Sequence, residues 1–369
     1  MLAAGKESFY LYENGVKLGV YNPARGDYDP VEKLPGLIVL SEQKASGKVI
    51  KKNPGATLID LGDGVACVEF HTKMNSLDDD IMNMIIEGMD RTEKEFEGLV
   101  IGNQADNFSA GANLFMIVMA AQNAMWDQLE VAIKKGQDMN MRMRYFPKPV
   151  VVAPAGLSLA GGAEITMHAS RVIAAAELYT GLVEFGVGVI PAWGGTKEIL
   201  RRVVNPAMRT PNPISLPYLR RAFEQIGLAK VATSAAEARE MGILSPCDRI
   251  VMNRDLLLAE AKREALNMVA EGYTPPIPEK IYAAGRDALG ALRVNVFMLR
   301  EGQFISDHDR LIAEKLGSVL TGGELSQPTW VSEQYILDLE REKFLSLCGM
   351  EKTQERLWHM LQKGKPLRN

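Results

Sequence analysis

The chain has 369 residues, 47% hydrophobic and 24% charged, an ordinary globular balance with enough material for a large core and for two domains, or for one with a substantial extension. A formal net charge of −4 at pH 7 offers no cationic field along a whole face, which argues against nucleic acid as a partner. Cys67, Cys247 and Cys348 are few, odd in number and unpatterned, which speaks against a disulfide framework and for a reducing, cytoplasmic setting.

In chain order, the opening MLAAGKESFYLYENG lacks a basic segment followed by an apolar core. No later stretch approaches the roughly 20 uninterrupted apolar residues of a membrane span, so neither export nor membrane insertion is expected. Residues 10–29 are polar and turn-rich with short aromatic punctuation, the pattern of a connector. Residues 1–53 are therefore expected to form an extension leading from an upstream domain. From Ala56 to Phe70 two β-type runs flank Gly-Asp-Gly, a hairpin signal. Between about 76 and 183, helical patterns alternate with the apolar runs GLVIGN (98–103), PVVVAPA (149–155) and RVIAAA (171–176). That alternation predicts an α/β layer architecture. From Asp255 onward apolar residues recur at three- and four-residue spacing, predicting a helical region after a proline-stiffened linker at Tyr273–Pro278. The units expected are 1–53, 54–272 and 273–369.

The chemistry gathers at glycine-rich loops. AGLSLAGGAE (155–164) follows an apolar strand, and Gly156, Gly161 and Gly162 precede a helical pattern through Ile165 and His168. Backbone N–H groups there, with no side chains to keep a ligand away, suit a developing oxyanion; close helix–strand packing is the alternative use of the same glycines. NFSAGAN (107–113) leaves a neighbouring strand as a second small-residue loop, in which Ala110 could supply a second donor. VEFGVGVIPAWGGT carries Glu184, twenty residues after Glu164. Two carboxylates at one water-sized gap suit acid and base work, one accepting a proton while the other donates.

These three segments, in this order and spacing, resemble the crotonase (enoyl-CoA hydratase/isomerase) family over about residues 56–255. The tail, from RRAFEQIG to PLRN, resembles the C-terminal half of bacterial fusions of a 3-hydroxyacyl-CoA dehydrogenase with a hydratase. The resemblance implies a crotonase-like (ClpP/crotonase) α/β spiral core of ββα repeats with a helical C-terminal region. It implies an acyl-CoA thioester substrate, with coenzyme A as part of the substrate and no separate cofactor or metal, a homo-oligomer, and an upstream dehydrogenase domain. It also implies roles: Ala110 and Gly161 as the oxyanion hole, and Glu164 and Glu184 as the catalytic pair that adds water to a trans-2-enoyl-CoA. Ser109, Gly111, Ala112, Asn113, Met116, Gly162, Ala192 and Trp193 would border the substrate. Ala192, with Trp193 after it, stands where the family usually has glycine, and Asn113 stands where aspartate is common. An isomerase working through one carboxylate, and a non-catalytic docking module, are the alternatives.

Other motifs have plainer readings. GLSLA (156–160) lacks the final glycine of a nucleophile elbow at Ser158, and GVGVIP (186–191) lacks the strand–helix frame of a dinucleotide fingerprint. His168, four residues after Glu164, reads as a packed or solvated histidine, and Asp307-His308-Asp309 as a helix start or exposed turn. Of the methionines from Met116 to Met143, most belong to a core, with Met116 and Met119 the expected exceptions. Arg201, Arg202, Arg220 and Arg221 read as solvated helix faces.

Overall fold

The computed structural model describes residues 1–13, 16–31 and 36–369. Its centre is a seven-stranded sheet in the order Arg249–Val251, Arg171–Ala175, Val150–Ala153, Gly98–Gly102, Val65–Phe70, Ala56–Asp60 and Val49–Lys52. The first five strands run parallel; the sixth, Ala56–Asp60, pairs antiparallel with the fifth as the hairpin read at 56–70, and the seventh pairs antiparallel with the sixth. The runs GLVIG and VVVA are buried throughout, as strands covered on both faces must be.

Successive residues of these strands divide between two cores, because side chains alternate across a sheet. Val68, Ile101 and Val152 face one core, and Cys67, Val100 and Val151 the other. The second core is closed by the helix Leu257–Ala270, which contributes Leu258, Ala261 and Ala265. The first holds the helices Asp79–Glu95 and Trp126–Arg144 and the loops of the site. Each fully buried Leu, Ile or Phe there contributes roughly 1.5–3 kcal/mol.

A strand of the main sheet, an excursion into a second small sheet and a helix recur along the chain. Val150–Ala153 is followed by Gly156–Leu159 and by the helix Gly161–His168. Gly98–Gly102 is followed by the bridge from Ser109 to Ser158 and by the helix Leu114–Gln122. This is the expected ββα unit. It corrects one detail: Gly156 opens a short strand paired in parallel with Leu178–Gly181, not a loop running straight into a helix.

Two further expectations are corrected. Residues 10–29 are not a bare connector but a three-stranded antiparallel sheet of Tyr10–Glu13, Val16–Asn22 and Asp27–Pro30; Asn14 and Gly15 of that stretch lie outside the described residues. Its aromatics do the packing: Tyr21 is buried between Phe9 and Tyr28, with ring centroids 6.3 and 5.9 Å away. In the C-terminal region, the helices Gly285–Glu301, Asp307–Thr321, Glu333–Cys348 and Glu351–Lys363 are joined by an antiparallel ribbon of Lys280–Ala283 and Thr329–Ser332 that the helical periodicity did not show. This region shares the first core through Ile312, Leu316, Ile336, Phe344 and Leu357. Asp307 opens its helix behind a capping box of Ser306 and Asp309, while His308 and Asp309 are buried.

Candidate active site

Two loops are pressed together by their smallest residues. Leu159 N–H donates to the Ser109 carbonyl at 2.9 Å, Gly111 takes φ +100°, and a Cβ on Gly111 would lie 2.9 Å from that of Ala160. A Cβ on Gly162 would meet the Ser109 Cβ at 3.0 Å. Ser109 is fully buried; its hydroxyl donates to the Asn75 carbonyl at 2.8 Å and accepts Gly111 N–H at 3.1 Å. Ser109, Gly111 and Gly162 therefore pack the loops and do not line the cavity that these loops border, a correction to the expected substrate contacts.

That cavity, about 980 Å³, is lined by Ala110, Ala112, Asn113, Met116, Gly161, Glu164, Glu184, Ala192 and Trp193, all expected at the site. Met125, Leu129, Ile133, Phe344 and Met360 extend its apolar wall. Met125 takes the place anticipated for Met119, which does not line it, because the chain turns at Asn123–Ala124 and carries Met125 inward. Asn113 caps the helix Leu114–Gln122, accepting from Phe115 N–H at 3.1 Å.

Glu164 sits in the first turn of Gly161–His168 and is buried. Its Oε1 accepts the N–H groups of Trp193 and Gly195, each at 2.8 Å. Residue 195 must be glycine here, since a Cβ would come within 2.9 Å of that oxygen. The loop supplying these donors is pinned from behind. Gln137 Nε2 donates to the Ala192 carbonyl at 2.9 Å and Asn140 Nδ2 to the Trp193 carbonyl at 3.0 Å. The Trp193 indole lies where Gly136 leaves room: a Cβ at 136 would fall 2.3 Å from the ring. Gly136→Ala is therefore expected to displace the indole and lower the melting temperature, by about 1–3 kcal/mol of stability, measurable by thermal unfolding.

Glu184, in the turn Glu184–Val187, is buried with both carboxylate oxygens lacking any hydrogen-bond partner. Burial, reinforced by the negative charge of Glu164, pushes its carboxyl well above the usual range. Burial also raises Glu164, to about 7, but the N–H donors of residues 195, 193 and 192 restrain it. Two carboxyl groups thus share one cavity with their proton affinities set apart by hydrogen bonding.

The two expected oxyanion donors differ. Gly161 N–H, at a helix start, donates to no acceptor among the described residues. Ala110 N–H is engaged by the Met74 carbonyl at 3.2 Å, because Met74 takes a left-handed φ of 57° that turns its carbonyl inward.

Behind Glu164 lies a buried ionic cluster that the sequence did not reveal. His168 Nε2 is 3.0 Å from Lys197 Nζ and its Nδ1 2.7 Å from the Glu164 carbonyl; the lysine donates to the first, so the proton sits on the second. Burial and Lys197 hold this histidine well below its ordinary pKa, hence neutral. Glu198, fully buried, accepts from Lys197, Arg201 and Arg202 at 2.7–3.0 Å. Arg201 and Arg202 are therefore core ion-pair partners and not solvated helix faces; Arg220 and Arg221 are exposed as expected. Ser158 is buried, its hydroxyl 3.1 Å from Thr166 Oγ1, and does not line the cavity. Among the described residues no group of three or more His, Cys, Asp or Glu could hold a metal, and no helix is long and apolar enough to cross a membrane.

Residues 60–272 match the protein family described as enoyl-CoA hydratase/isomerase. Over the whole chain, 45% of residues are identical to a Bacillus subtilis (strain 168) protein provisionally named a 3-hydroxyacyl-CoA dehydrogenase, 46% of whose length is covered. Over 310 residues, 84% of this chain and 39% of the relative, 28% are identical to a Rickettsia felis protein provisionally named a fatty acid oxidation complex trifunctional enzyme. The chain thus spans less than half the length of these curated relatives. The crystal structure of enoyl-CoA hydratase from Bacillus halodurans superposes with a TM-score of 0.55 at 15% identity, covering 82% of this chain and 98% of that one, a likeness of fold.

Proposed function

Since the chain belongs to the enoyl-CoA hydratase/isomerase family, we propose that it adds water across the double bond of a trans-2-enoyl-CoA to give a 3-hydroxyacyl-CoA. The observation that carries this reading is the pair of buried carboxyls, Glu164 and Glu184, lining one apolar cavity with Gly161, whose N–H meets no acceptor among the described residues. The thioester carbonyl oxygen accepts that N–H, which draws electron density from the β carbon. Ala110 N–H joins it once the substrate carbonyl displaces the Met74 carbonyl. Ionised Glu164 orients the water and takes one of its protons as the oxygen bonds to the β carbon. Protonated Glu184 delivers its proton to the α carbon. Passing a proton from Glu164 back to Glu184 restores the starting state, so the cycle consumes water alone.

The two proton affinities favour this division, because near neutral pH the hydrogen-bonded carboxyl is the one that ionises. Loss of the enone absorbance of crotonyl-CoA tests it. The hydration rate is expected to fall by about tenfold per pH unit below 7, as Glu164 takes up a proton, and to fall again at the higher pH at which Glu184 ionises. No hydration at any pH would remove the reading. An isomerase using one carboxylate would instead survive loss of the other.

The names of the relatives support a wider role. We place this reaction in fatty-acid β-oxidation, as the hydratase part of a longer cytoplasmic protein that also carries a 3-hydroxyacyl-CoA dehydrogenase domain, assembled as a homo-oligomer and needing no cofactor beyond substrate-borne coenzyme A.

A further inference from the structure

The helix Glu333–Cys348 approaches the back of the site with one face, residues 333, 337 and 340. Glu333 is 2.5 Å from the Tyr145 hydroxyl and 3.4 Å from Lys197. The Leu337 carbonyl accepts a hydrogen bond from Gln137 at 2.9 Å, and the same Gln137 amide holds the Ala192 carbonyl. Glu340 is fully buried: its Oε1 makes a long contact of 3.4 Å with Thr196 N–H, and its Oε2 has no partner. Thr196 directly follows Gly195, whose N–H holds Glu164.

From this geometry we propose that Glu340 is a positioning residue, holding the 192–196 loop so that the N–H groups of Trp193 and Gly195 stay aimed at Glu164. The inference rests on the hydratase reading for the role of Glu164. A carboxyl in a dry interior is costly, and the same helix fills the core elsewhere with Ile336, Phe344 and Leu347, so packing alone would be served better by leucine. The groups facing it are Glu164 and Glu184 across the loop and Lys197 beside it. Lys197 is already occupied by His168, Glu198 and Glu333 and makes no ion pair with Glu340. Burial and the charge of Glu164 keep the Glu340 carboxyl well above the usual range, so it acts as a neutral acid whose carbonyl oxygen accepts from Thr196.

Glu340→Gln preserves that acceptor without a charge; Glu340→Leu fills the same volume without an acceptor. With the full chain and crotonyl-CoA, Glu340→Gln is expected to keep kcat within about threefold, whereas Glu340→Leu lowers kcat by about tenfold, with KM little changed and no fall in melting temperature. Full kcat in Glu340→Leu overturns the proposal. So do equal losses of kcat and melting temperature in both variants, which would mark a purely structural residue. Amide hydrogen exchange across 192–196 needs no turnover: faster exchange in Glu340→Leu and unchanged exchange in Glu340→Gln supports the role. Unaltered exchange in Glu340→Leu defeats it, even if crotonyl-CoA is never hydrated and the hydratase reading has failed on its own.

Discussion

Glu164→Gln and Glu184→Gln are each expected to lower the hydration rate of crotonyl-CoA by about 10²–10⁴-fold, the usual contribution of a positioned acid or base. Glutamine at 164 can still accept the Trp193 and Gly195 N–H groups through its carbonyl oxygen, so the loop stays in place while the basic oxygen is gone. Glutamine at 184 keeps the shape but has no proton to deliver to carbon. The two variants should part in stability. Glu184 makes no hydrogen bond that its ionised form would gain from, and its folded carboxyl titrates well above the ordinary value of 4.5. A raised carboxyl binds its proton more tightly folded than unfolded, so stability falls as pH rises above the unfolded value. Glu184→Gln removes that penalty and should melt higher than the wild type at neutral pH but not in mild acid. An active Glu184→Gln protein, or one that melts lower at neutral pH, would refute this account of the residue.

The largest loss of stability is expected at a residue that touches no substrate. Glu198 is the common counter-charge of Lys197, Arg201 and Arg202, with Arg144 at 3.7 Å. Burial would push its carboxyl up, but Lys197, Arg201 and Arg144 hold it well below the usual range. Such a depressed carboxyl stabilises the fold above its unfolded pKa and loses that contribution only as pH falls through the folded value. Glu198→Gln leaves buried cations without their shared anion at neutral pH, a situation that costs about 3–5 kcal/mol. Glu333 and Glu279 offer partial relief to Lys197 and Arg201, which limits the loss to that range. Denaturant unfolding at neutral pH measures it, and a change below about 1 kcal/mol would show that the cluster relaxes freely. Activity should fall as well, because Glu198 belongs to the short helix Gly195–Ile199, whose first N–H holds Glu164.

The parallel strands and the two acid-bearing loops were legible because their signals are local. GLVIG and VVVA are apolar on both faces, and three glycine-containing segments keep a fixed order along the chain. What escaped depends on contacts made far along the sequence. Glu340 and Gln137 are ordinary helical residues by spacing; their role arises only because Leu337 returns to Gln137, 200 residues away. Arg201 and Arg202 follow a helical pattern that ordinarily faces water, and the buried Glu198 three and four residues back reverses it. The three-stranded sheet near the start was hidden because its pairing rests on aromatics among polar residues, without a clean alternation. Nor does any residue type announce that Met74 turns its carbonyl toward Ala110.

The wall that Phe344 and Met360 give the cavity, together with the Gln137–Leu337 contact, has a consequence for biosynthesis. A nascent chain that has already made Gln137 must wait for 200 further residues before Leu337 can meet it and the chamber can close, roughly 10–40 s at ~5–20 residues per second. Throughout that interval the greasy lining faces solvent on the ribosome, which makes this stretch of translation the period when the protein most needs a chaperone.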